Sequence, residues 1–187
     1  MERRKMRNML KKVLVITASL RKGGNSELLA DEFIKGVQEA GHTVEKIGLY
    51  GKTVNFCKGC LACQQTGCCV IRDDMDAIVP KMQKADVLVF ATPVYFYEMC
   101  GQMKTLLDRS NPLFASDYAY REVYLLAAAA DTAASAVDGA QKGLQGWIDC
   151  FESVTLKGVV LAGGVTAAGD IHGNTALKQA QEMGRLV

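Results

Sequence analysis

Residues Val13–Ser26, VLVITASLRKGGNS, decide how the rest of the chain is read. The stretch opens with five unbroken β-branched and aliphatic residues, the pattern of a strand covered on both faces. Glycine, serine, asparagine and arginine follow, and beyond them Leu29, Phe33 and Val37 recur four apart, the spacing of one helix face. Strand, glycine-containing loop and helix form the first unit of an alternating fold. Outward from it, Thr43–Leu49 reads as a second strand after Gly41, and Asp73 or Asp74 can cap a helix carrying Met75, Ile78, Val79 and Met82. Pro80 should make that helix kink or start late, because an interior proline loses a hydrogen bond and clashes one turn back. Further strands are predicted at 87–91, 123–130 and 154–161. Between and after them come a short helix at 101–109, one striped by Val137, Ala140, Leu144, Trp147 or Ile148 and Phe151, and a last helix from Thr175. Strands alternating with helices predict an α/β three-layer sandwich, a five-stranded parallel sheet with helices on both faces.

At 187 residues the chain suits a single domain, read as 1–187 with a basic leader at 1–11 and a cysteine-rich insertion at 55–73. Apolar residues at 49% and charged residues at 22% exclude a fibrous or disordered class. No apolar run approaches the roughly 18 residues of a membrane span. The leader, with Arg3, Arg4, Lys5, Arg7, Lys11 and Lys12, flows into VLVIT without a small-residue cleavage site, so it reads as solvated rather than as a targeting peptide. A net charge of +2 and the lack of aromatics among those charges disfavour nucleic-acid binding. Seven cysteines, an odd and uneven set, point to a reducing, cytoplasmic setting and to metal or redox duty.

In a parallel sheet, ligands sit at the carboxyl ends of the strands. After the first strand, Ser19, Arg21, Gly23, Gly24, Asn25 and Ser26 offer hydroxyls, a guanidinium and backbone amides ahead of a helix amino terminus, which makes a phosphate cradle. The loop is neither a Walker loop nor G-x-G-x-x-G, so a nucleoside triphosphate and a Rossmann dinucleotide are disfavoured. The blander alternative is that Asn25 or Ser26 caps the helix. After the third strand, in TPVYFYEMCGQMK, Pro93 stiffens the exit and Tyr95, Phe96 and Tyr97 crowd the ligand position. Such rings suit a flat conjugated group, although some of them can equally serve the core or a subunit contact. A phosphate on the first loop and a flat ring on the third are best satisfied by FMN.

The combination of SLRKGGNS, CKGCLAC, DDMD and ATPVYFYEMCGQMKTLLDR resembles the NAD(P)H-dependent FMN reductase and iron-sulfur flavoprotein group of the flavodoxin-like superfamily. The likeness spans about residues 12–112; the last third agrees only in its order of strands and helices. It implies that Ser19, Arg21, Asn25 and Ser26 hold the FMN phosphate, that Pro93, Val94, Tyr95 and Phe96 line the ring and ribityl chain, and that Gly163 and Gly164 approach from the last loop. It also implies hydride transfer from NAD(P)H to the flavin, a small-molecule acceptor such as a quinone or flavin, and assembly as a homodimer or homotetramer. No acid or base is assigned, since Asp131, His172 and Lys104 are better read as solvated or capping groups.

Cys57, Cys60 and Cys63 follow C-x-x-C-x-x-C, with Cys69 beyond them and Cys68 beside it. Three thiolates at that spacing can converge on one cluster, with a fourth closing it after a turn at Gly67. The resemblance implies a 4Fe-4S cluster on Cys57, Cys60, Cys63 and Cys69, with Cys68 as substitute ligand. Zinc and free thiols are the alternatives; zinc usually draws on two separated C-x-x-C knuckles. Cys100 and Cys150 read as core or near-core residues. A cluster would open exchange with a ferredoxin-type carrier. A non-enzymatic electron carrier is a competing reading, although such a carrier should show a strongly charged docking face; a thiol or metal sensor on the same fold is another.

Overall fold

The structure is a computed structural model in which residues 10–187 are described; most of the basic leader, residues 1–9, lies outside them. Strands β1 (Lys12–Thr17), β2 (Thr43–Gly48), β3 (Val87–Tyr95), β4 (Glu98–Met99), β5 (Glu122–Ala128) and β6 (Thr155–Ala162) alternate with helices. Five of the strands pair in parallel in the order β2-β1-β3-β5-β6, and β4 turns back antiparallel on the end of β3. The helices are α1 (Asn25–Glu39), α2 (Ala62–Thr66), α3 (Met75–Lys84), α4 (Gly101–Arg109), α5 (Asp138–Ile148) and α6 (Thr175–Arg185).

The apolar runs that mark the central strands are explained by a sheet buried on both sides. Leu14 and Ile16, Leu88 and Phe90, and Val123 and Leu125 face one core, which α3, α4 and α5 cover with Met75, Met82, Leu106 and Leu144. Val13 and Val15, Val87 and Val89, and Tyr124 and Leu126 face the other, under Leu29 and Phe33 of α1 and Ala176 and Ala180 of α6. Burial pushes the Tyr124 phenol up to about 12. The flavodoxin-like three-layer sandwich is therefore the fold, and among the described residues no helix is long and apolar enough to cross a membrane.

Three local expectations change. The late start allowed for α3 is not seen: the helix begins at Met75 and runs through Pro80. Met75, Ile78 and Met82 are fully buried on its inner face. At about 1.5–3 kcal/mol per side chain, that burial outweighs the roughly 3 kcal/mol a helical proline costs. The third strand does not stop at residue 91 but pairs with β5 as far as Pro93 opposite Ala128 and runs on to Tyr95. Cys150, expected near the core with Cys100, is exposed, because α5 ends at Ile148 and Cys150 lies in the turn beyond.

Candidate functional site

The strand order reverses between β1 and β3, so the loops that follow them part and leave a crevice at the carboxyl edge of the sheet. A cavity of about 150 Å³ lies there. Its walls are Ser19, Arg21, Gly24, Asn25 and Ser26 from the first loop, Pro93, Val94 and Tyr95 from the third, and Val165, Thr166 and Ala168 from the last. Gly24 precedes α1, and a Cβ there would lie 2.2 Å from Ser19 Oγ and 3.1 Å from Arg21 O, so a larger residue would make the loop shift.

The side chains of this wall divide between bracing and binding. Asn25 Nδ2 donates to Ala167 O (2.8 Å), while its Oδ1 accepts from the N–H groups of Gly169 (3.1 Å) and Ile171 (3.2 Å). Its amide is thus committed to the last loop, and what it offers a ligand is its backbone N–H at the helix start. Arg21 Nη1 likewise donates to Thr166 O (2.8 Å). Asp170 tightens the same loop by accepting from Thr166 N and Ala167 N, and those two N–H groups hold its carboxyl below the usual range. Ser26 differs from all of these, because its Oγ is buried in the cavity wall with no hydrogen-bond partner. An unmade bond of that kind costs about 1–3 kcal/mol.

The third loop is a β-hairpin. Phe96 and Tyr97 at its tip have φ of +51° and +62°, the signs of a type I′ turn without the usual asparagine or glycine. Left-handed backbone costs such residues about 1–2 kcal/mol each, and two contacts hold it. Gly139 of α5 lies so close that a Cβ would come within 2.2 Å of Tyr97 O, and Tyr97 Oη donates to Asp131 Oδ2 at 3.0 Å. The N–H of Ala133 and then the Tyr97 hydroxyl keep the Asp131 carboxyl below its ordinary range, and Asp131 in turn raises the phenol. Tyr95 and Tyr97 are exposed, and Phe96 is fully so.

Of the sequence-predicted flavin residues, Ser19, Arg21, Asn25, Ser26, Pro93, Val94 and Tyr95 come together around this cavity. Phe96 stands outside it at the hairpin tip. Gly163 and Gly164 back onto the loop after β5, where a Cβ on Gly163 would meet Asp131 O at 2.8 Å and one on Gly164 would meet Thr132 Cγ2. Val165, Thr166 and Ala168 take the place expected of these glycines. The loop containing them had been singled out by its position after the last strand, but small and apolar residues carry no individual signal.

The cysteine segment forms an exposed loop after β2 whose regular structure is the single turn α2. Its neck is a buried ion pair: Arg109 Nη1 and Nη2 bond Asp73 Oδ2 and Oδ1 at 2.6 and 3.0 Å, with side-chain exposures of 0% and 2%. The same guanidinium donates to Asn55 O (2.7 Å) and Ile71 O (3.2 Å), gathering both ends of the loop. Burial opposes the Asp73 charge, but Arg109 and the donors of Asn55 and Met75 outweigh it and hold the carboxyl well below the usual range. Asp74 stands at the N-cap position of α3 without a side-chain cap bond, and it is Asp73 Oδ1 that accepts from Met75 N at the helix start (3.1 Å). Midway along the loop, Asn111 Nδ2 donates to Cys63 Sγ at 3.1 Å. Cys63 is buried, Cys69 half-buried, and Cys57, Cys60 and Cys68 are exposed; all are free thiols. Among the described residues, no three Cys, His, Asp or Glu side chains are placed to share a metal ion. Arg109 and Asn111 were missed as contributors, for their partners lie 36 to 54 residues away in sequence.

The first cavity fits a phosphate monoester: an unpartnered buried hydroxyl, free N–H groups at the start of a helix and an arginine converge on it. The cysteine loop fits an iron-sulfur cluster in the kind and number of its donors, but its thiols stand apart, and a shared ligand would need the exposed part of the loop to close over Cys63.

Comparison with known proteins places the chain in a family. The family model described as NADPH-dependent FMN reductase matches residues 11–173. An iron-sulfur flavoprotein of Methanosarcina thermophila is 32% identical over 165 residues, 88% of this chain and 84% of that one. An iron-sulfur flavoprotein of Methanocaldococcus jannaschii is 43% identical over 102 residues, 54% of this chain and 53% of that one. The chain spans about half the length of this and a second curated relative. Among solved structures, an NAD(P)H:quinone oxidoreductase from Methanothermobacter marburgensis superposes with a TM-score of 0.71 over 95% of this chain and 96% of that one. At 19% identity this is a likeness of fold.

Proposed function

The chain belongs to the NADPH-dependent FMN reductase family, in the group that includes the iron-sulfur flavoproteins, and from that premise we propose that it is an FMN-dependent oxidoreductase. Electrons enter from NAD(P)H or a small redox carrier and leave to a small acceptor such as a quinone or a flavin. The observation that carries this reading is the buried, unpartnered Ser26 Oγ in the wall of the crevice at the start of α1. A phosphate oxygen is the acceptor that this hydroxyl and the adjoining N–H groups lack.

Bound FMN would supply the hydride- and electron-accepting chemistry. Ser26 and the N–H groups of Asn25 and Ser26 would hold its phosphate, with Arg21 adding charge at the rim, while Ser19 Oγ, donating to Arg21 O and accepting from Arg21 N, braces the loop. Asn25 keeps the last loop closed against the cradle, and Pro93, Val94 and Tyr95 would give the wall along which the rest of the cofactor could lie. Phe96 and Tyr97, exposed on a hairpin locked by Gly139 and Asp131, would shield the ring edge from water or meet a second subunit. No side chain is assigned as acid or base.

The finer reading concerns the cysteine loop. We assign Cys57, Cys60, Cys63 and Cys69 as the ligands of a 4Fe-4S cluster, with Cys68 as the competing fourth ligand. The donor set supports it, as does the name iron-sulfur flavoprotein borne by both of the relatives described above. A cluster there would add one-electron capacity beside a two-electron cofactor and open exchange with a ferredoxin-type carrier. The test is anaerobic purification followed by assay for FMN, iron and labile sulfide, then addition of NADH or NADPH while the flavin absorbance is followed. One FMN per chain, bleached by a nicotinamide, supports the reductase. Protein that rejects FMN contradicts it, and flavoprotein that takes no iron on reconstitution removes the cluster alone.

A further inference from the structure

We propose that Tyr97 is a positioning residue for the cofactor crevice: its hydroxyl, donating to Asp131 Oδ2 at 3.0 Å, closes a ring of loops around that crevice and sets how long a bound flavin stays. The second half of this proposal rests on the FMN reading above; the first does not.

Four loops border the crevice, those after β1, β3, β5 and β6. The first is tied to the last by Arg21 and Asn25. The last is backed in turn by the loop after β5: Val165 N donates to Ala129 O at 3.0 Å, and Gly163 packs against the carbonyl of Asp131. Asp131 Oδ1 is engaged by Ala133 N (2.9 Å), which leaves Oδ2 to the phenol. The base of the hairpin is fixed as well, since Cys100 N donates to Thr92 Oγ1 at 3.1 Å between two buried residues. Its tip is joined differently. Among the described residues, Tyr97–Asp131 is the one hydrogen bond by which the tip reaches the loop after β5.

The tip needs that bond. Phe96 and Tyr97 hold a left-handed backbone that is costly for any residue with a Cβ, whereas glycine adopts it freely. Neither ring offsets the cost by burial, for both are exposed. Gly139 lets the tip come close to α5; the hydroxyl fastens it. An exposed hydrogen bond is worth about as much as one such residue costs, so the held and released hairpins lie close in free energy. Val94 and Tyr95, which wall the crevice, pair with Met99 and Glu98 in this same hairpin. A ligand's apparent affinity falls with the fraction of protein in the competent state. Loss of the hydroxyl should therefore loosen the wall and speed the departure of FMN.

The experiment follows FMN dissociation, by recovery of flavin fluorescence after dilution, from the native chain, Tyr97→Phe, Asp131→Ala, the double variant of these two, and Tyr97→Gly. Tyr97→Phe should release FMN about five- to tenfold faster, the worth of one hydrogen bond. In the Asp131→Ala background the same change should add nothing, because its partner is already gone. Tyr97→Gly lacks the hydroxyl but relieves the turn, so its rate should return toward the native value. Equal rates in the native chain and Tyr97→Phe overturn the proposal. So do additive effects of Tyr97→Phe and Asp131→Ala, or a Tyr97→Gly rate as fast as that of Tyr97→Phe, which would make the phenol a direct cofactor contact. If the native chain binds no FMN, the flavin reading has failed, and the latch is decided on the flavin-free chain by hydrogen exchange at the amides of residues 94–99. Exchange there should be faster in Tyr97→Phe than in the native chain and Tyr97→Gly; equal exchange in the native chain and Tyr97→Phe overturns the latch.

Discussion

The loop proposed to cradle a phosphate and the cysteine loop both sit at carboxyl ends of neighbouring strands, β1 and β2, yet they are held in opposite ways. The cradle is short and cross-tied: Arg21 and Asn25 reach to the last loop, Asp170 tightens that loop from within, and one hydroxyl is left waiting. The cysteine loop is long and hangs from two points, the buried Arg109–Asp73 pair at its neck and the Asn111–Cys63 contact midway. A preformed cradle can bind a rigid anion with little rearrangement. A loop whose donors are exposed and apart must be completed by what it binds, and such sites gain much of their order from the ligand.

The sharpest way to break this contrast is to cut the neck. Arg109→Met leaves Asp73 buried without its partner, which should cost about 3–5 kcal/mol in chemical denaturation. Limited proteolysis of that variant should cut within residues 55–73, and FMN affinity should change much less than stability. Asn25→Ala tests the other side. It removes three hydrogen bonds between the first and last loops and should cost about 2–3 kcal/mol at roughly 1 kcal/mol each, with weakened FMN binding because the cradle opens. If Asn25→Ala leaves stability untouched and affects binding alone, the amide faces the phosphate instead.

Acid should weaken the neck. The Asp73 carboxyl lies below its unfolded value near 3.9, so on acidification the unfolded chain takes up a proton first. The stability this group contributes is full above about pH 5 and is lost as pH falls through its folded value. Asp73→Asn should flatten the loss of stability below pH 5, as followed by urea midpoints across that range. The smallest effect is kinetic: in the metal-free chain, alkylation should label Cys57, Cys60 and Cys68 before Cys69, and Cys63 last, as their exposures require.

The fold was legible in the sequence because its central strands are buried on both faces, and VLVIT and VLVFA cannot be satisfied at a surface. That the loop after β1 walls a cavity was legible for the same local reason, since a glycine-containing loop between such a strand and a helix lies at the carboxyl edge of the sheet. What could not be read depends on contacts across the sheet. TPVYFYEMC looked like a loop because Phe96 and Tyr97 are unlikely turn residues on their own; Gly139 and Asp131, far along the chain, impose the turn. Asn25 looked like a phosphate ligand because its partners, Ala167, Gly169 and Ile171, are more than 140 residues away. The cysteines announced themselves, but the seat that holds them, Arg109 and Asn111, has no local signature.

Ser26 offers the most direct test of the central claim, because binding and stability should move in different directions. In the flavin-free chain, Ser26→Ala removes a buried hydroxyl that has no partner, so stability should stay the same or rise. In FMN titrations by fluorescence quenching, the same variant should bind more weakly by about 1.5–3 kcal/mol, the worth of a hydrogen bond to a charged phosphate. A native chain that takes up one FMN, with Ser26→Ala binding it ten- to a hundredfold more weakly and unfolding no earlier without it, is the predicted result. Equal affinity in the two proteins, or loss of stability in the flavin-free variant, would contradict the account.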